Sequence, residues 1–219
     1  MPILFTQYWD IMPGRFDDYA AFVTNEYIPA FQKLGIRLAG GYYVVVGEGP
    51  RIVAVAEAEN VNSLQRSLST KDYRILTNRL FQYVWKYGSK IWVPSGRIQE
   101  GTYHIQTGVW RYNQYYNVLP GKEEAHYRFV KDECIPKMKE LGIPITSGWR
   151  LVVGAGARTL AESTAMGIVD IAKAIDASQF RRLVKRLKNE FATDYSSRIL
   201  VSTGRIEVPF LLAEMMKDF

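Results

Sequence analysis

QYWDIMPG at residues 7–14 returns as QYYNVLPG at residues 114–121, and this repetition decides the fold of the chain. The repeat runs over residues 7–49 and 114–156 with a constant offset of 107 and no gap, and 17 of the 43 positions are identical. Its other long matches are EYIPAFQKLGI (26–36) with ECIPKMKELGI (133–143), and GYYVVVGEG (41–49) with GWRLVVGAG (148–156). A chain of 219 residues that repeats in this way is predicted to form two similar units, which we place at 1–99 and 100–219.

Each unit carries the pattern of a β-α-β-β-α-β order. In the first unit, an aromatic and β-branched run at 3–11 predicts a strand, and apolar residues at every third or fourth position from 16 to 34 predict a helix. Pro29, and Pro136 in the second unit, predict a break in that helix. The remaining predicted elements are strands at 38–46 and 51–59, a broken helix at 61–80 and a strand at 90–98. This order is typical of a ferredoxin-like fold.

The end of the last strand shows where the two copies differ in length. Gly96-Arg97-Ile98 returns as Gly204-Arg205-Ile206, at an offset of 108 instead of 107. We therefore predict one inserted residue just before Gly204.

The central strands are apolar on both faces. Tyr42, Val44 and Val46 alternate with Tyr43 and Val45, so the sheet is expected to be buried on both sides. Helices cover only one face of a ferredoxin-like sheet. The economical solution is an α+β fold in which the two antiparallel sheets pack through their helix-free faces, and the chain forms its own pseudo-dimer.

Charge and composition exclude several classes of function. The net charge is +6, but the basic residues at 181–188 share a helix with Leu183, Val184 and Leu187, which indicates a solvated helix face. A nucleic-acid partner is not expected, because the strand at 51–59, RIVAVAEAE, lacks the exposed aromatic residues of an RNA-binding sheet.

Cys134 is the only cysteine, so neither an intrachain disulfide nor a paired-cysteine zinc site is predicted, and no other metal site is expected. No stretch approaches the roughly 20 apolar residues of a membrane span, so no membrane association is expected. The first residues lack the features of a signal peptide. These observations favour a cytoplasmic protein.

The repeated unit resembles the dimeric α+β barrel superfamily, particularly its NIPSNAP-like and stress-response members. The aromatic strand ending in Ile11-Met12-Pro13-Gly14, the helix ending in Leu34-Gly35 and the strand from Gly41 to Gly47 carry the resemblance, which covers residues 3–98 and 104–206. It implies a ligand site between helices and sheet. It also implies a choice among cofactor-free monooxygenases, polyketide cyclases, lactone isomerases, haem-binding proteins and members without known activity.

Positions that differ between the copies are the best candidates for a specialised site. Tyr19 becomes His126, Tyr27 becomes Cys134 and Tyr43 becomes Arg150. Because Tyr19 falls on the sheet-facing stripe of its helix, His126 should face inward, where it could serve as a general base or as a haem ligand. The alternative is a core histidine that is hydrogen-bonded to a carbonyl or to a tyrosine.

Aromatic and polar side chains near His126 are the candidate ligand-binding residues. We select Tyr8, Trp9, Tyr115, Tyr116, Asn117 and Arg150. Aromatic walls with few polar groups suit a flat apolar ligand. Ordinary core packing is the alternative.

Three functions stay open from the sequence. The first is a small-molecule-binding protein or cofactor-independent enzyme, of monooxygenase, cyclase or isomerase type, that acts on an aromatic or polyketide-like compound with His126 as the proton-transfer group. The second is a haem-binding protein. The third is a non-catalytic assembly or stress-response protein, in which the apolar tail at 208–219, VPFLLAEMMKDF, joins copies of the chain into an oligomer.

Overall fold

The computed structural model describes residues 2–96, 98, 103, 105, 107–203 and 206. The strands in this part of the chain are β1 (Ile3–Ile11), β2 (Arg37–Val46), β3 (Ile52–Ala58), β4 (Val84–Pro94), β5 (Trp110–Val118), β6 (Ile145–Val153), β7 (Thr159–Ala165) and β8 (Ala192–Ser202). The α-helices are α1 (Phe16–Phe22), α2 (Ile28–Lys33), α3 (Val61–Leu68), α4 (Lys71–Leu80), α5 (Glu123–Phe129), α6 (Ile135–Glu140), α7 (Ile168–Asp176) and α8 (Ser178–Arg186). Three π-helical turns are π1 (Val23–Tyr27), π2 (Val130–Cys134) and π3 (Leu187–Phe191).

The strands close into one antiparallel barrel in the order β1-β3-β2-β8-β5-β7-β6-β4. The first unit supplies β1 to β4 and the second supplies β5 to β8, and the pairs β2–β8 and β4–β6 join the two sheets. Helical side chains pack on one face of the strands, whereas a separate cluster of strand and linker residues fills the interior. The predicted α+β pseudo-dimer of two ferredoxin-like units is confirmed. The boundary between residues 99 and 100 lies outside the described residues and stays a prediction.

The first helix of each unit contains a π-helical turn immediately before its proline. The amide of Ile28 donates to the carbonyl of Val23, and the amide of Ile135 donates to that of Val130, five residues back in each case. Such a wide turn gives room for the ring of the following proline, which would clash in a regular helix. The helix therefore breaks where the sequence predicts, and the break takes the form of a π turn.

The last strand of the first unit starts and ends earlier than predicted. It is Val84–Pro94 and not 90–98. Lys86 adopts a positive φ of 51° within this strand, and Asp194 adopts 54° at the same place in β8. These irregular residues interrupt the apolar alternation on which the prediction depends, so the sequence pattern hides the first half of the strand.

The inserted residue also lies elsewhere than predicted. Lys86 and Asp194 already differ by 108 positions, so the insertion precedes the whole of β8 instead of only Gly204. Helices α4 and α8 still start at an offset of 107. The turn π3 lies between these points, and a π turn is the form in which a helix absorbs one extra residue.

The barrel interior of the second unit contains a buried ion pair. Arg111 on β5 lies 3.0 Å from Glu162 on β7. Glu162 also accepts hydrogen bonds from Ser147 Oγ at 2.6 Å and from Trp149 Nε1 at 2.8 Å. Burial acts to lower the pKa of Arg111, but Glu162, Tyr103 and Tyr42 together outweigh it and raise that pKa. The Arg111 guanidinium is therefore charged inside the barrel.

Among the described helices, none is both long and apolar enough to cross a membrane. The tail at 208–219 lies outside the described residues, so its predicted role in assembly stays a prediction. The cytoplasmic location is likewise still a prediction.

Candidate functional site

A cleft of about 460 Å³ lies between the sheet and the first helix of the second unit. Strands β5, β6 and β7 form one wall, and α5, π2 and the start of α6 form the other. Ile98, from the segment that follows β4, contributes to the lining and so brings in the first unit. The volume falls within the usual range of small-molecule sites.

His126 and Tyr116 form the polar centre of this cleft. Nε2 of His126 lies 3.1 Å from the hydroxyl of Tyr116, and the two rings meet edge-on with centroids 5.4 Å apart. Burial raises the pKa of Tyr116, and the neighbouring Cys134 thiol raises it further. The hydroxyl therefore stays protonated at neutral pH and can donate to Nε2. When the hydroxyl donates, Nε2 accepts and the imidazole proton lies on Nδ1; in the other tautomer Nε2 donates to the hydroxyl.

The hydrogen bond between His126 and a tyrosine was one alternative to a functional histidine. The structure shows that bond, but it places the pair on the wall of a cleft and leaves His126 only partly buried. Because the cleft beside it is large enough for a ligand, His126 can still exchange the Tyr116 hydroxyl for a ligand.

The equivalent place in the first unit is filled by larger side chains. Trp9 stands where Tyr116 does and Tyr19 where His126 does, and both have 0% exposure. Trp9 Nε1 donates to the Tyr19 hydroxyl at 3.0 Å, and that hydroxyl donates to the carbonyl of Ile206 at 2.6 Å. Tyr27, where the second unit has Cys134, adds a third fully buried ring.

Tyr115 and Tyr116, which were predicted to line one site, lie on opposite faces of β5. Tyr116 faces the helices, whereas Tyr115 lies in the barrel interior with Tyr8. Successive side chains of a strand point to opposite faces, so Tyr115 and Tyr116 cannot both point into the cleft. Tyr115 and Tyr8 therefore do not share the cleft of His126, and their predicted role in ligand binding stays a prediction.

Trp9 and Asn117 also lie away from the cleft. Trp9 belongs to the packed core of the first unit. Asn117 accepts a hydrogen bond from the backbone amide of Arg158 at 2.8 Å and donates to Asp194 at 2.8 Å. Asp10 accepts in the same way from the amide of Arg51 at 2.7 Å. In both units, therefore, the side chain at this position bonds the backbone that follows the hairpin turn.

Arg150 joins His126 and Tyr116 in lining the cleft, and its side chain is exposed. Two further residues, Tyr127 and Lys131, line the helix wall and were missed in the sequence. They lie four positions apart, which is one helical turn, but one and five positions after His126, so the helical spacing from His126 did not identify them. Glu123 lies on the same wall, so the rim carries charges of both signs.

Cys134 is a neighbour of Tyr116 but does not line the cleft. Burial raises the pKa of its thiol to about 12, Glu133 acts in the same direction, and Arg186 opposes both. It lines a smaller cavity of about 30 Å³ behind Tyr116. A thiol with such a pKa is a packing group at neutral pH and not a nucleophile.

No protein-family model and no curated protein matches the sequence of the chain. Solved structures do match in fold. An anthrone oxidase-like protein has a TM-score of 0.63 at 10% identity, with 95% of each chain covered. A mutant chlorite dismutase from Candidatus Nitrospira defluvii has a TM-score of 0.62 at 8% identity, with 99% of this chain and 94% of that chain covered.

A haem-binding protein from Thermus thermophilus has a TM-score of 0.56 at 8% identity, over 92% of this chain and 90% of that one. Identities this low establish the shared fold and nothing finer. The closed barrel, the two ferredoxin-like halves and these likenesses agree on one conclusion. The chain has the dimeric α+β barrel fold, with both halves of the barrel supplied by a single polypeptide.

Proposed function

We propose that the chain binds a flat aromatic or polyketide-like compound in the cleft of the second unit and acts on it without a cofactor. The observation that carries this proposal is the contrast between the two halves. Trp9, Tyr19 and Tyr27 fill the cleft of the first unit, whereas Tyr116 and His126 leave about 460 Å³ open at the same place. Smaller residues at matched positions are a way to make room for a ligand.

The chemistry available at this centre is proton transfer. In the tautomer with its proton on Nδ1, Nε2 of His126 can leave Tyr116 and accept a proton from an acidic C–H or phenolic O–H of the ligand. The protonated Tyr116 hydroxyl can then donate to the resulting enolate or phenolate oxygen. The Arg150 guanidinium on the lining is a further partner for that negative charge. Oxygenation, cyclisation and isomerisation of such compounds can all start from this anion.

Oxygen uptake with anthrone as the substrate tests the reaction directly. We expect oxygen consumption by the purified protein with anthrone and its loss, by at least about 100-fold, in His126→Gln, which removes a general base worth that much or more. His104→Gln removes the chain's only other histidine and serves as the control. Equal activity in wild type and His126→Gln would reject the role of His126 as the base.

Haem is a second ligand class, since a histidine lies on the cleft wall with Arg150 and Lys131 nearby. The residues present do not fit it well. Iron at Nε2 of His126 would leave the buried Tyr116 hydroxyl, which now lies 3.1 Å from that nitrogen, without this partner, whereas an enolate or phenolate oxygen would accept a hydrogen bond from it. We expect no Soret band that depends on His126 when the protein is titrated with haemin. A Soret band that is lost in His126→Ala would favour haem binding instead.

A further inference from the structure

Two cations meet inside one end of the barrel. Lys90 on β4 and Arg198 on β8 hold equivalent positions, because Ser89 pairs with Gln7 of β1 just as Ser197 pairs with Gln114 of β5. The pseudo-symmetry of the barrel therefore brings one cation from each unit to the same end. This end lies on the opposite face of the sheet from the cleft that contains His126.

Both cations lie near the same two tyrosine rings. Lys90 Nζ lies 5.5 Å from the ring centre of Tyr8 and 6.0 Å from that of Tyr115. The Arg198 guanidinium carbon lies 6.0 Å and 5.5 Å from the same two centres. The two positive groups thus face each other across one aromatic pair, each of them only partly exposed.

Glycines in the two hairpin turns make room for the charged heads of these cations. A Cβ on Gly49 would lie 2.6 Å from an Nη2 of Arg198, and one on Gly156 would lie 3.4 Å from Nζ of Lys90. Gly49 and Gly156 are equivalent positions in the β2–β3 and β6–β7 turns. Bare backbone at both turns allows each charged head to lie directly beneath its turn.

An acidic partner for this pair is missing from the part of the chain that the structure describes. Neither the Lys90 nor the Arg198 side chain forms an ion pair or a hydrogen bond there, and Glu48 in the nearby turn is exposed and forms no ion pair with them. Burial lowers the pKa of Lys90, and the charge of Arg198 lowers it further. The two cations lie beside the same tyrosine rings without an acidic counter-ion, so they repel each other. An anion between them would remove that repulsion.

We propose that Lys90 and Arg198 form an anion-binding site at the hairpin end of the barrel, which takes a small oxyanion. The guanidinium offers a planar pair of donors that matches an oxyanion, and the ammonium adds a point charge from the other side. The oxyanion can be free phosphate or the carboxylate of an aromatic acid. The tyrosine rings beneath would contact the ring of such an acid.

The experiment is thermal unfolding of the intact chain with sodium phosphate or sodium benzoate, at an ionic strength fixed with sodium chloride. For the wild type we expect a saturable rise in Tm of about 3–6 °C when the anion is at ten times its Kd. Lys90→Met and Arg198→Met should lose this rise. Each should also be at least as stable as the wild type without the anion, because one of the two repelling charges is gone.

Lys188→Met is the matched control, since Lys188 lies 5.8 Å from the ring centre of Tyr195 but on the exposed surface. It should keep the full response to the anion. Arg198→Lys, which gives both units the same cation, should keep part of it and guards against loss of folding in the methionine variants. A response to phosphate alone indicates a free oxyanion, and a response to benzoate indicates a carboxylate ligand. No saturable response to either anion, or equal responses in wild type and both methionine variants, would overturn the proposal.

Discussion

Replacement of Glu162 by valine should strongly destabilise the barrel, because it leaves a buried charge without its partner. Glu162 accepts from Ser147 Oγ at 2.6 Å and Trp149 Nε1 at 2.8 Å and lies 3.0 Å from Arg111. Arg111 is 8% exposed and Glu162 is 3% exposed, so water cannot replace the lost carboxylate. Breaking a buried pair in this way costs about 3–5 kcal/mol. For a chain of this size, that corresponds to a fall in Tm of about 6–20 °C.

The double variant Arg111→Leu with Glu162→Val shows how much of the lost stability comes from the unpaired charge and how much from altered packing. The first unit has Leu4 and Val55 at these two positions, so the fold accepts both residues at equivalent places. We expect the double variant to recover about 1–3 kcal/mol relative to Glu162→Val, since the stranded guanidinium is gone. The unfilled donors of Ser147 and Trp149 should prevent full recovery. Chemical unfolding of the four proteins measures the coupling. Strictly additive losses, or a Glu162→Val variant within about 1 kcal/mol of wild type, would refute the reasoning.

Two further predictions concern the groups that burial keeps protonated. Among the described residues, the pKa of at least nine of the fourteen tyrosines is raised, chiefly by burial, so the unfolded chain loses their protons first as pH rises. Stability should be complete below pH 10 as far as these groups are concerned and should fall steeply above it, with the absorbance of these nine tyrosinates appearing together with unfolding. An absorbance change equivalent to all fourteen tyrosinates near pH 10 in folded protein would contradict this. Cys134 has its pKa raised from 9.0 to about 12, so its thiolate fraction at pH 8 is roughly a thousandfold below that of an ordinary thiol. Iodoacetamide should therefore modify native Cys134 far more slowly than unfolded Cys134, and similar rates would show that the thiol is accessible and ionised.

The repeat made the barrel predictable because it carries long-range information that single elements lack. Matching units of the same β-α-β-β-α-β order, with strands apolar on both faces, left few ways to bury both sheets. The positions of Lys86 and Asp194 could not be found in this way, since a positive φ in a non-glycine residue leaves no mark in an apolar pattern. The start of β4 was therefore misplaced.

The candidate site was predictable only in part, and for a similar reason. A comparison of the two copies identified His126 and Arg150, which change in character between units and line one cleft. Strand alternation places Tyr115 and Tyr116 on opposite faces, but the comparison of the copies did not give the phase of the strand, which decides which of the two faces the helices. Asn117 shows a different limit. Its change from Asp10 suggested specialisation, yet both side chains accept the same backbone hydrogen bond.

Isothermal titration with 1-naphthol, in the wild type and in a variant with a filled cleft, tests the central claim most directly. Tyr116→Trp with His126→Tyr places the residues of the first unit into the second, where Trp9 and Tyr19 pack with 0% exposure. Trp9→Tyr exchanges the same residue types in the first unit and is the control. We predict that the wild type and the control bind 1-naphthol and that the filled variant, with an unchanged or raised Tm, binds at least about tenfold more weakly, a loss of about 1.4 kcal/mol. Equal binding by the filled variant, or no binding by the wild type up to about 1 mM, would contradict a ligand site in this cleft.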